Sequence, residues 1–188
     1  NKQGAYSWAK APRYEDKVVE VGPLARLIVA KDPLVLDLAK NIGPSAYTRT
    51  IARLHESVRL LKQMKEWLLQ INPEEPFYIK HEISENAAGA GLTEAARGAL
   101  GHWINIENGK IRNYQVITPT AWNVSPRDSR DNPGAVEQAL IGTPVEDENN
   151  PVEISHVVRS FDPCLVCTVH AYRGHKHLKT LGLDHRHD

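Results

Sequence analysis

The chain has 188 residues with 23 basic and 23 acidic side chains, so its formal net charge at neutral pH is zero. A composition of 41% hydrophobic and 24% charged residues is typical of a globular protein large enough for one domain core, and it excludes disordered and collagen-like classes. No Lys/Arg block indicates a nucleic-acid or anionic membrane partner, and no apolar run has the length of a membrane span. Because the chain begins at Asn1 without a signal-peptide pattern, we expect it to be part of a longer protein or a processed product.

The first third of the chain predicts irregular structure followed by helices. The opening segment NKQGAYSWAKAPRYEDK (1–17) has no clear period, which indicates an irregular segment laid over another surface. Pro23 stands at a plausible first position of a short helix or buried segment. Ser45 can cap a helix that continues to about Leu69. Apolar residues recur along it at three- and four-residue steps, which predicts a core-facing stripe: Ile51, Leu54, Val58, Leu61, Met64 and Leu68.

The middle of the chain predicts strands around a tight turn. A short strand is expected near Phe77–Lys80. In the Gly- and Ala-rich segment ENAAGAGLTEAARGAL that follows, small residues allow the backbone to approach other backbone or a ligand closely, and tight helix packing is the ordinary explanation. HWINIENGKIRNYQVI predicts a hairpin, because Asn108-Gly109 suits a two-residue turn between alternating strands. Beyond it, Asn132 and Pro133 predict the start of a short helix, and the acidic segment 143–154 predicts a loop.

Both cysteines of the chain lie in the segment DPCLVCTVH (162–170). A c-type haem link requires histidine directly after the second cysteine, and here two residues separate Cys167 from His170. A thioredoxin-like dithiol normally begins a helix after a strand, and nothing near Cys164 indicates that context. Structural zinc needs four ligands, which His170 and histidines further along the chain could complete. The remaining option is a site shared between chains, in which two thiolates chelate one soft metal and one bridges to a second. On spacing alone, zinc is favoured.

The surrounding sequence changes that balance, because DPCLVCTVH resembles the C-terminal cysteine signature of the large subunit of nickel-iron hydrogenases. Three segments resemble family segments in the same order: EAARGALGHW (94–103), NYQVITPTAWNVSPRD (113–128) and VRSFDPCLVCTVH (158–170). YSWAKAPRY and EVGPLARL near the start resemble further ones. The resemblance covers nearly the whole chain through His170 and is far more specific than a lone CxxC.

The resemblance implies two metal sites. Cys164 would be a terminal nickel ligand, and Cys167 would be a thiolate that bridges nickel to an iron carrying cyanide and carbon monoxide. His170 would bind a nearby Mg²⁺, with the main-chain carbonyl of Val116 as a second ligand.

The resemblance also implies a set of residues around the metals. Arg97 would project its guanidinium over their open face, and Asp162 would pair with this arginine and orient it. Pro119 and Thr120 would form the wall of a cyanide pocket, with the Thr120 hydroxyl donating a hydrogen bond. Ala96 stands where many family members have proline, so one N–H and some backbone freedom are restored and we expect the pocket to be tuned differently.

Heterolytic cleavage of dihydrogen separates a hydride from a proton, so the site needs an electrophilic metal and a base. The thiolate of Cys164 or the guanidine of Arg97 could be that base. Because an arginine does not lose its proton in water, the second choice requires the metals and the charge of Asp162 to hold the geometry. Ordinary structural explanations remain open for each residue: Arg97 and Asp162 as a buried ion pair, Thr120 as a turn hydroxyl, and His102 as a core histidine with its hydrogen bonds satisfied.

The family's site uses four cysteines, and this chain has two. Because the family's other CxxC lies near the N-terminus of the large subunit, with a Mg²⁺ carboxylate ligand and a proton-exit glutamate, we expect a second polypeptide that carries them. An iron-sulfur small subunit would take the electrons from H₂. The alternatives are a non-enzymatic zinc-binding or assembly module, and a degenerate relative in the respiratory NADH dehydrogenase complex, against which the two cysteines argue.

The expected fold is mainly α with a small antiparallel β element (α+β), corresponding to the C-terminal part of the large-subunit fold. We expect residues 1–170 to form that part and 171–188 to be a histidine-rich C-terminal extension. Family members commonly lose such an extension to a protease after nickel insertion. Here a solvated tail is expected. Its two HxH pairs, His175 with His177 and His185 with His187, could bind a metal.

Overall fold

The computed structural model describes residues 3–164, 168–173 and 176–182, the last two ranges by their backbone. Three helices are followed by a three-stranded antiparallel sheet, three further helices and a two-stranded hairpin, which confirms the expected fold class. The elements are α1 Pro23–Val29, α2 Pro33–Asn41, α3 Ala46–Gln70, β1 Ala87–Ala95, β2 Gly98–Glu107, β3 Lys110–Ile117, α4 Pro119–Asn123, α5 Ala135–Leu140, α6 Val152–Ser160, β4 Thr168–Arg173 and β5 Lys176–Gly182.

The predicted starts of α1 and α3 are confirmed. Pro23 occupies the first turn of α1, where a backbone N–H would have no helical partner in any case. Ser45 caps α3: its hydroxyl accepts from the Thr48 N–H at 3.2 Å, and the Thr48 hydroxyl accepts from the Ser45 N–H at 2.8 Å. This reciprocal cap satisfies two donors at the start of the longest helix. The helix ends at Gln70, one residue beyond the predicted Leu69.

Helix α2 was not predicted, although a capping residue and a proline begin it. Asp32 accepts a hydrogen bond from the Val35 N–H at 3.1 Å. Its carboxylate also contacts two side chains of α3: His55 Nε2 lies at 3.0 Å, and the Arg59 guanidinium donates at 2.6 Å. Burial opposes ionisation of Asp32, but these hydrogen bonds and charges outweigh it and lower the pKa of its carboxyl. The three helices enclose a small core made of Leu24, Leu27, Val35 and Ala52.

The apolar stripe along α3 is not core in this structure, so that prediction is wrong. Ile51 is half-buried. The other members are more than half exposed: Leu54, Val58, Leu61, Met64 and Leu68. The reason is that the described helices α1, α2 and α6 contact only the first turns of α3, and its later turns are exposed on all sides. An apolar helical face of this length is typical of a surface that another polypeptide covers.

The predicted hairpin is confirmed as β2 and β3. Asn108 and Gly109 have φ angles of 51° and 68°, the left-handed values that a two-residue hairpin turn requires. The ladder shifts register between Asn105 and Ile106, which is the signature of a β-bulge.

Two predictions before the hairpin are wrong. The Gly/Ala-rich segment does not pack as a helix but forms strand β1, which pairs with β2 from Ala87–Ile106 to Ala95–Gly98. Its small side chains leave most of the strand exposed. The segment Phe77–Lys80 forms no strand, because no described strand lies beside it to complete a ladder, and the side chain of Phe77 is fully exposed.

Helix α5 begins two residues later than predicted. Gly134 is its N-cap residue, and the Gly134 N–H donates to the Glu137 carboxylate at 2.9 Å. Asn132 instead folds back on Asp128, donating to its carboxylate from the main chain at 3.0 Å and from the side chain at 3.1 Å. Burial opposes ionisation of Asp128, but these bonds and one from Arg13 hold its pKa well below the usual range.

The N-terminal segment is irregular, as predicted, and lies over the loop before α5. Its anchor is Arg13, whose Nε donates to Asp128 at 3.0 Å. Earlier in the segment, the Tyr6 hydroxyl accepts a hydrogen bond from the Arg127 N–H at 2.7 Å and donates one to Glu137. Apart from a Tyr14–Lys17 bridge, residues 3–22 have no regular structure.

The predicted acidic loop ends at Pro151, and its last three residues belong to helix α6, which was not predicted. Helices α5 and α6 pack a second core around Val136, Val158 and Phe161. Strands β4 and β5 pair antiparallel. Strand β4 includes both residue 170 and residue 171, between which the start of the C-terminal extension was expected. The division of the chain at this point stays a prediction. Of the helices in the described ranges, none has the length and apolar character needed to traverse a bilayer.

Candidate metal centre

Three segments that are distant in the sequence meet at one end of the three-stranded sheet. They are the β1–β2 turn (95–98), the start of α4, and the loop after α6 (161–164). Arg97 lies in the turn, between the paired residues Ala95 and Gly98. Its Nε is 3.4 Å from the Oδ1 atom of Asp162. The structure therefore brings together the arginine and aspartate that the sequence predicted to pair.

Asp162 lies between two guanidinium groups from different elements. Besides Arg97, its carboxylate faces Arg53 Nε of α3 at 3.9 Å. Its backbone has a left-handed φ of 52°, which aspartate tolerates better than most residues, and its N–H closes α6 by donating to the Arg159 carbonyl at 2.9 Å. The conformation of Asp162 thus ends the helix and starts the cysteine segment.

The contact between Arg97 and Asp162 is a charge contact rather than a hydrogen bond. Within residues 3–164, Arg97 Nε is shielded from solvent and has no hydrogen-bond partner, whereas the side chain as a whole is 40% exposed. A buried donor without a partner is uncommon in native structures. Among the described residues, Asp162 therefore supplies Arg97 Nε with an opposite charge but not with a hydrogen bond.

Cys164 is a free, exposed thiol next to the start of α4. Its Sγ is 3.3 Å from the Thr120 hydroxyl, at hydrogen-bonding distance for sulfur. Thr118 caps α4 by accepting from the Ala121 N–H at 3.3 Å, and Pro119 is buried in the first turn. Capping and proline together fix the helix start, so that Thr120 faces the cysteine.

The turn that carries Arg97 rests on the segment before α1. A Cβ at Gly98 would lie 2.7 Å from the Gly22 nitrogen, so the two backbones meet with no room for a side chain. Asn123 of α4 holds the same segment: its side-chain amide donates to the Val21 carbonyl and accepts from the Val21 N–H, both at 2.9 Å. Through these contacts, α4 and the Arg97 turn are fixed relative to each other.

Replacing Gly98 by alanine is expected to lower the free energy of unfolding by about 1–3 kcal/mol, because its φ of +134° and the backbone contact both oppose a side chain. Gly91→Ala is the matched control, since a Cβ at Gly91 meets nothing within 4 Å and alanine suits a strand better than glycine. Denaturant unfolding of both variants checks this, and equal stability of the two would contradict the role of the close contact.

The other side of the site is held by two arginines of α3. Arg53 donates to the Ser160 carbonyl at 3.0 Å, at the end of α6. Arg49 donates twice to the Glu20 carboxylate at 2.8 Å, and its guanidinium lies 3.7 Å from the centre of the Phe161 ring. These contacts fix the residues on both sides of the α6 end, directly before Asp162.

These supporting residues were not expected from the sequence. Arg49 and Arg53 are four residues apart and therefore share a helical face, but nothing in the pattern distinguishes them from solvated arginines. Asn123 lies within a segment that carries the family resemblance, and its 3% exposure is a property of the fold rather than of the sequence.

The remaining predicted site residues are placed less completely. Val116 lies in β3 opposite His102, and its carbonyl accepts from the Gln115 side chain at 2.9 Å. His102 is half-buried rather than part of a core, and its Nδ1 lies 2.6 Å from the Tyr114 hydroxyl. Ala96 lies exposed in the Arg97 turn. Outside the described residues lie Cys167, the side chain of His170 and the HxH side chains of the tail.

The described side chains supply part of the donor set that a metal would need. Among the described side chains, no group of three His, Cys, Asp or Glu could hold a metal ion. What they provide is one exposed thiol, a hydroxyl beside it and an ion-paired arginine nearby. A thiolate is a soft ligand that suits a soft transition metal, and further ligands must complete its coordination.

Comparison with known proteins assigns the family. Residues 1–170 match the family model described as nickel-dependent hydrogenase. The chain belongs to this family. The resemblance found in the cysteine segment and its neighbours is thereby confirmed.

Several nickel-dependent hydrogenases are similar over most of the chain. The periplasmic [NiFeSe] hydrogenase large subunit of Desulfomicrobium baculatum is 41% identical over 95% of the chain, and the uptake hydrogenase large subunit of Bradyrhizobium diazoefficiens is 40% identical over 89% of it. Among solved structures, the Ni-Fe-Se hydrogenase of Desulfovibrio vulgaris Hildenborough in the reduced state superposes with a TM-score of 0.80 at 38% identity, covering 87% of the chain.

The chain spans only part of these hydrogenases. It corresponds to 38% of the D. baculatum subunit, 32% of the B. diazoefficiens subunit and 38% of the solved D. vulgaris chain.

Proposed function

We propose that this chain is the C-terminal portion of the catalytic subunit of a nickel-iron hydrogenase, which cleaves and forms H₂ heterolytically. The observation that carries the proposal is the meeting of Arg97, Asp162, Cys164 and Thr120 at one end of the sheet in a chain of this family. Membership of the family favours this function over a non-enzymatic zinc-binding or assembly module.

The proposed metal ligands follow from the cysteine segment. Cys164 would be a terminal nickel ligand, and Cys167 would bridge nickel to an iron that carries cyanide and carbon monoxide. His170 would bind Mg²⁺ together with the Val116 carbonyl. One observation supports this assignment: the Cys164 thiol is exposed and free. When bound, the nickel-iron centre supplies the electrophile that polarises H₂.

The chain's own residues would orient the reaction and move the proton. Asp162 holds the Arg97 guanidinium from one side, and Arg97 would lie over the open face of the metals. The Sγ atom of Cys164 or the guanidine of Arg97 would accept the proton, with Arg97 dependent on the charge of Asp162. Ala96, Pro119 and Thr120 would line the pocket for a cyanide. The 3.3 Å contact between Thr120 and Cys164 supports this, because it places a donor hydroxyl beside the proposed nickel ligand.

The proposed partners are a polypeptide with the N-terminal part of the large subunit, including a second CxxC, and an iron-sulfur small subunit that takes the electrons. Two observations support the first partner: the sequence has two cysteines where the family's site uses four, and no described element covers the apolar face of α3. Together they indicate that this chain supplies one half of a shared centre.

Metal analysis tests the proposal directly. We expect the chain purified with its partners to contain nickel and iron in stoichiometric amounts and to oxidise H₂ with an artificial electron acceptor. The chain alone should hold neither metal stoichiometrically, because two thiolates do not complete the centre. Stoichiometric nickel and iron in the chain alone would contradict the need for a second polypeptide. Zinc without nickel in the purified complex would support the non-enzymatic alternative.

A further inference from the structure

Arg26 of α1 has no role in the proposed chemistry, yet it binds the turn that carries Arg97. Its Nη1 donates to the Ala95 carbonyl at 2.8 Å, and its Nη2 donates to the Ala96 carbonyl at 3.0 Å. These are the carbonyls of the two residues immediately before Arg97. One guanidinium therefore fixes two successive peptide groups of a turn that contains only two unpaired residues.

The rest of the guanidinium is anchored to two other elements. Glu56 of α3 accepts from Nε at 2.9 Å and from Nη2 at 2.6 Å, and Glu94 of β1 accepts from Nη1 at 2.8 Å. Arg26 and Glu56 are largely buried, with 21% and 15% of their side chains exposed. The hydrogen bonds that Arg26 donates to Glu56 are the main reason that the pKa of Arg26 is raised, so the cation persists at every working pH. Arg26 thus links the turn to the rigid α1–α3 pair.

We propose that Arg26 is a positioning residue, which sets the β1–β2 turn so that Arg97 reaches the metal centre and Ala96 lines the cyanide pocket. This inference rests on the proposed function. It follows from the geometry, because moving the Ala95 and Ala96 carbonyls moves the Cα of Arg97 with them. The backbone contact between Gly98 and Gly22 also supports the turn, but it involves neither the Ala95 carbonyl nor the Ala96 carbonyl.

Lysine cannot replace Arg26 in this role. Its single ammonium nitrogen cannot reproduce the planar fork that reaches two carbonyls and two carboxylates at once. Lysine does keep the positive charge, so Arg26→Lys separates the geometry of the turn from the charge balance with Glu56 and Glu94.

A merely structural role makes a different prediction. If Arg26 served only to join α1 to α3, removing the Glu56 charge would have the same effect as changing Arg26. Glu56→Gln is therefore the matched control, since it weakens the helix–helix ion pair and leaves both carbonyl contacts available to Arg26.

The experiment compares Arg26→Lys, Glu56→Gln, Arg97→Lys and the double variant Arg26→Lys/Arg97→Lys in the complete complex. We expect Arg26→Lys to retain nickel and iron, to shift the infrared bands of the cyanide and carbon monoxide ligands, and to reduce kcat by roughly 10- to 100-fold. Glu56→Gln should leave the bands in place and change kcat by less than about 2-fold. Because Arg26 acts through Arg97, the double variant should be no slower than Arg97→Lys alone.

Unshifted bands and wild-type kcat in Arg26→Lys would overturn the inference, and so would losses that multiply in the double variant or an equal band shift in Glu56→Gln. If Arg26→Lys does not assemble, Arg26→Gln also removes the planar fork that reaches both carbonyls, and it should shift the bands in the same direction. Unshifted bands in that variant would also overturn it. A wild-type complex without nickel and iron would instead contradict the proposed function, so the two failures are distinguishable.

Discussion

Replacing Arg97 by lysine is expected to reduce H₂ turnover by roughly 10²- to 10⁴-fold while the nickel and iron contents stay unchanged. Lysine keeps the charge but loses the planar fork, and it cannot present one face to Asp162 while another nitrogen extends toward the metals. Arg97 binds no metal in the proposed site, so its replacement leaves the ligand set intact. The expected result is a fully loaded enzyme that reacts slowly.

The measurement is H₂-dependent reduction of an artificial acceptor, combined with metal analysis of the same preparation. Arg112→Lys is the matched control: Arg112 is 72% exposed and lies 3.6 Å from Glu107 near the β2–β3 turn, at the opposite end of the sheet. We expect this variant to have wild-type turnover. Unchanged turnover in Arg97→Lys would remove Arg97 from the mechanism, whereas loss of nickel would assign it to assembly instead.

Replacing Leu61 by glutamate is expected to weaken association with the N-terminal partner by at least about 30-fold, or about 2 kcal/mol. Leu61 lies near the middle of the apolar face of α3 and is 67% exposed in this chain. If the partner covers that face, the variant buries a carboxylate without a counter-charge, which is costly. The chain itself should keep its stability, because the side chain is not part of its core.

Gln63→Glu is the matched control for this experiment. It adds the same charge to the same helix two residues later, which is about 200° further around the axis and away from the apolar face. Copurification with the partner and size-exclusion chromatography measure association, and thermal unfolding of the isolated variants measures their stability. Equal association of the two variants would show that the partner does not dock on this face of α3.

The parts of the fold that the sequence predicts well are those with local causes. Ser45 and Thr48 form a cap within four residues, Pro23 begins a helix, and Asn108-Gly109 closes a hairpin with two left-handed residues. Each of these signals acts between neighbours in the sequence, so a single sequence contains it in full.

The parts that could not be predicted depend on distant segments. The period of the α3 stripe shows which residues share a face, but whether anything covers that face depends on a polypeptide outside this chain. Strand β1 forms because β2 lies beside it, and its small residues have no strand propensity of their own.

The same division applies to the candidate site. The cysteine segment and the pairing of Arg97 with Asp162 were expected from the family resemblance, because motif residues are identified by type and order. Arg26 and Asn123 act on backbone groups about 70 and 100 residues away along the chain. A contact between a side chain and a distant carbonyl leaves no pattern in one sequence, since any residue supplies the carbonyl.

The bonds from Asn123 to both backbone groups of Val21 have a consequence for assembly. The Asn123 side chain makes the two hydrogen bonds that a peptide group of an adjacent strand would make, so the irregular segment at Val21 is held in place as it would be in a sheet. All of these contacts lie within one chain, and the Arg97 turn that leans on Val21 and Gly22 is therefore in place before any partner arrives. Association then loses less conformational entropy than it would if the turn became ordered only on docking. In the proposed assembly, this chain would offer a preformed surface to the partner that carries the second CxxC.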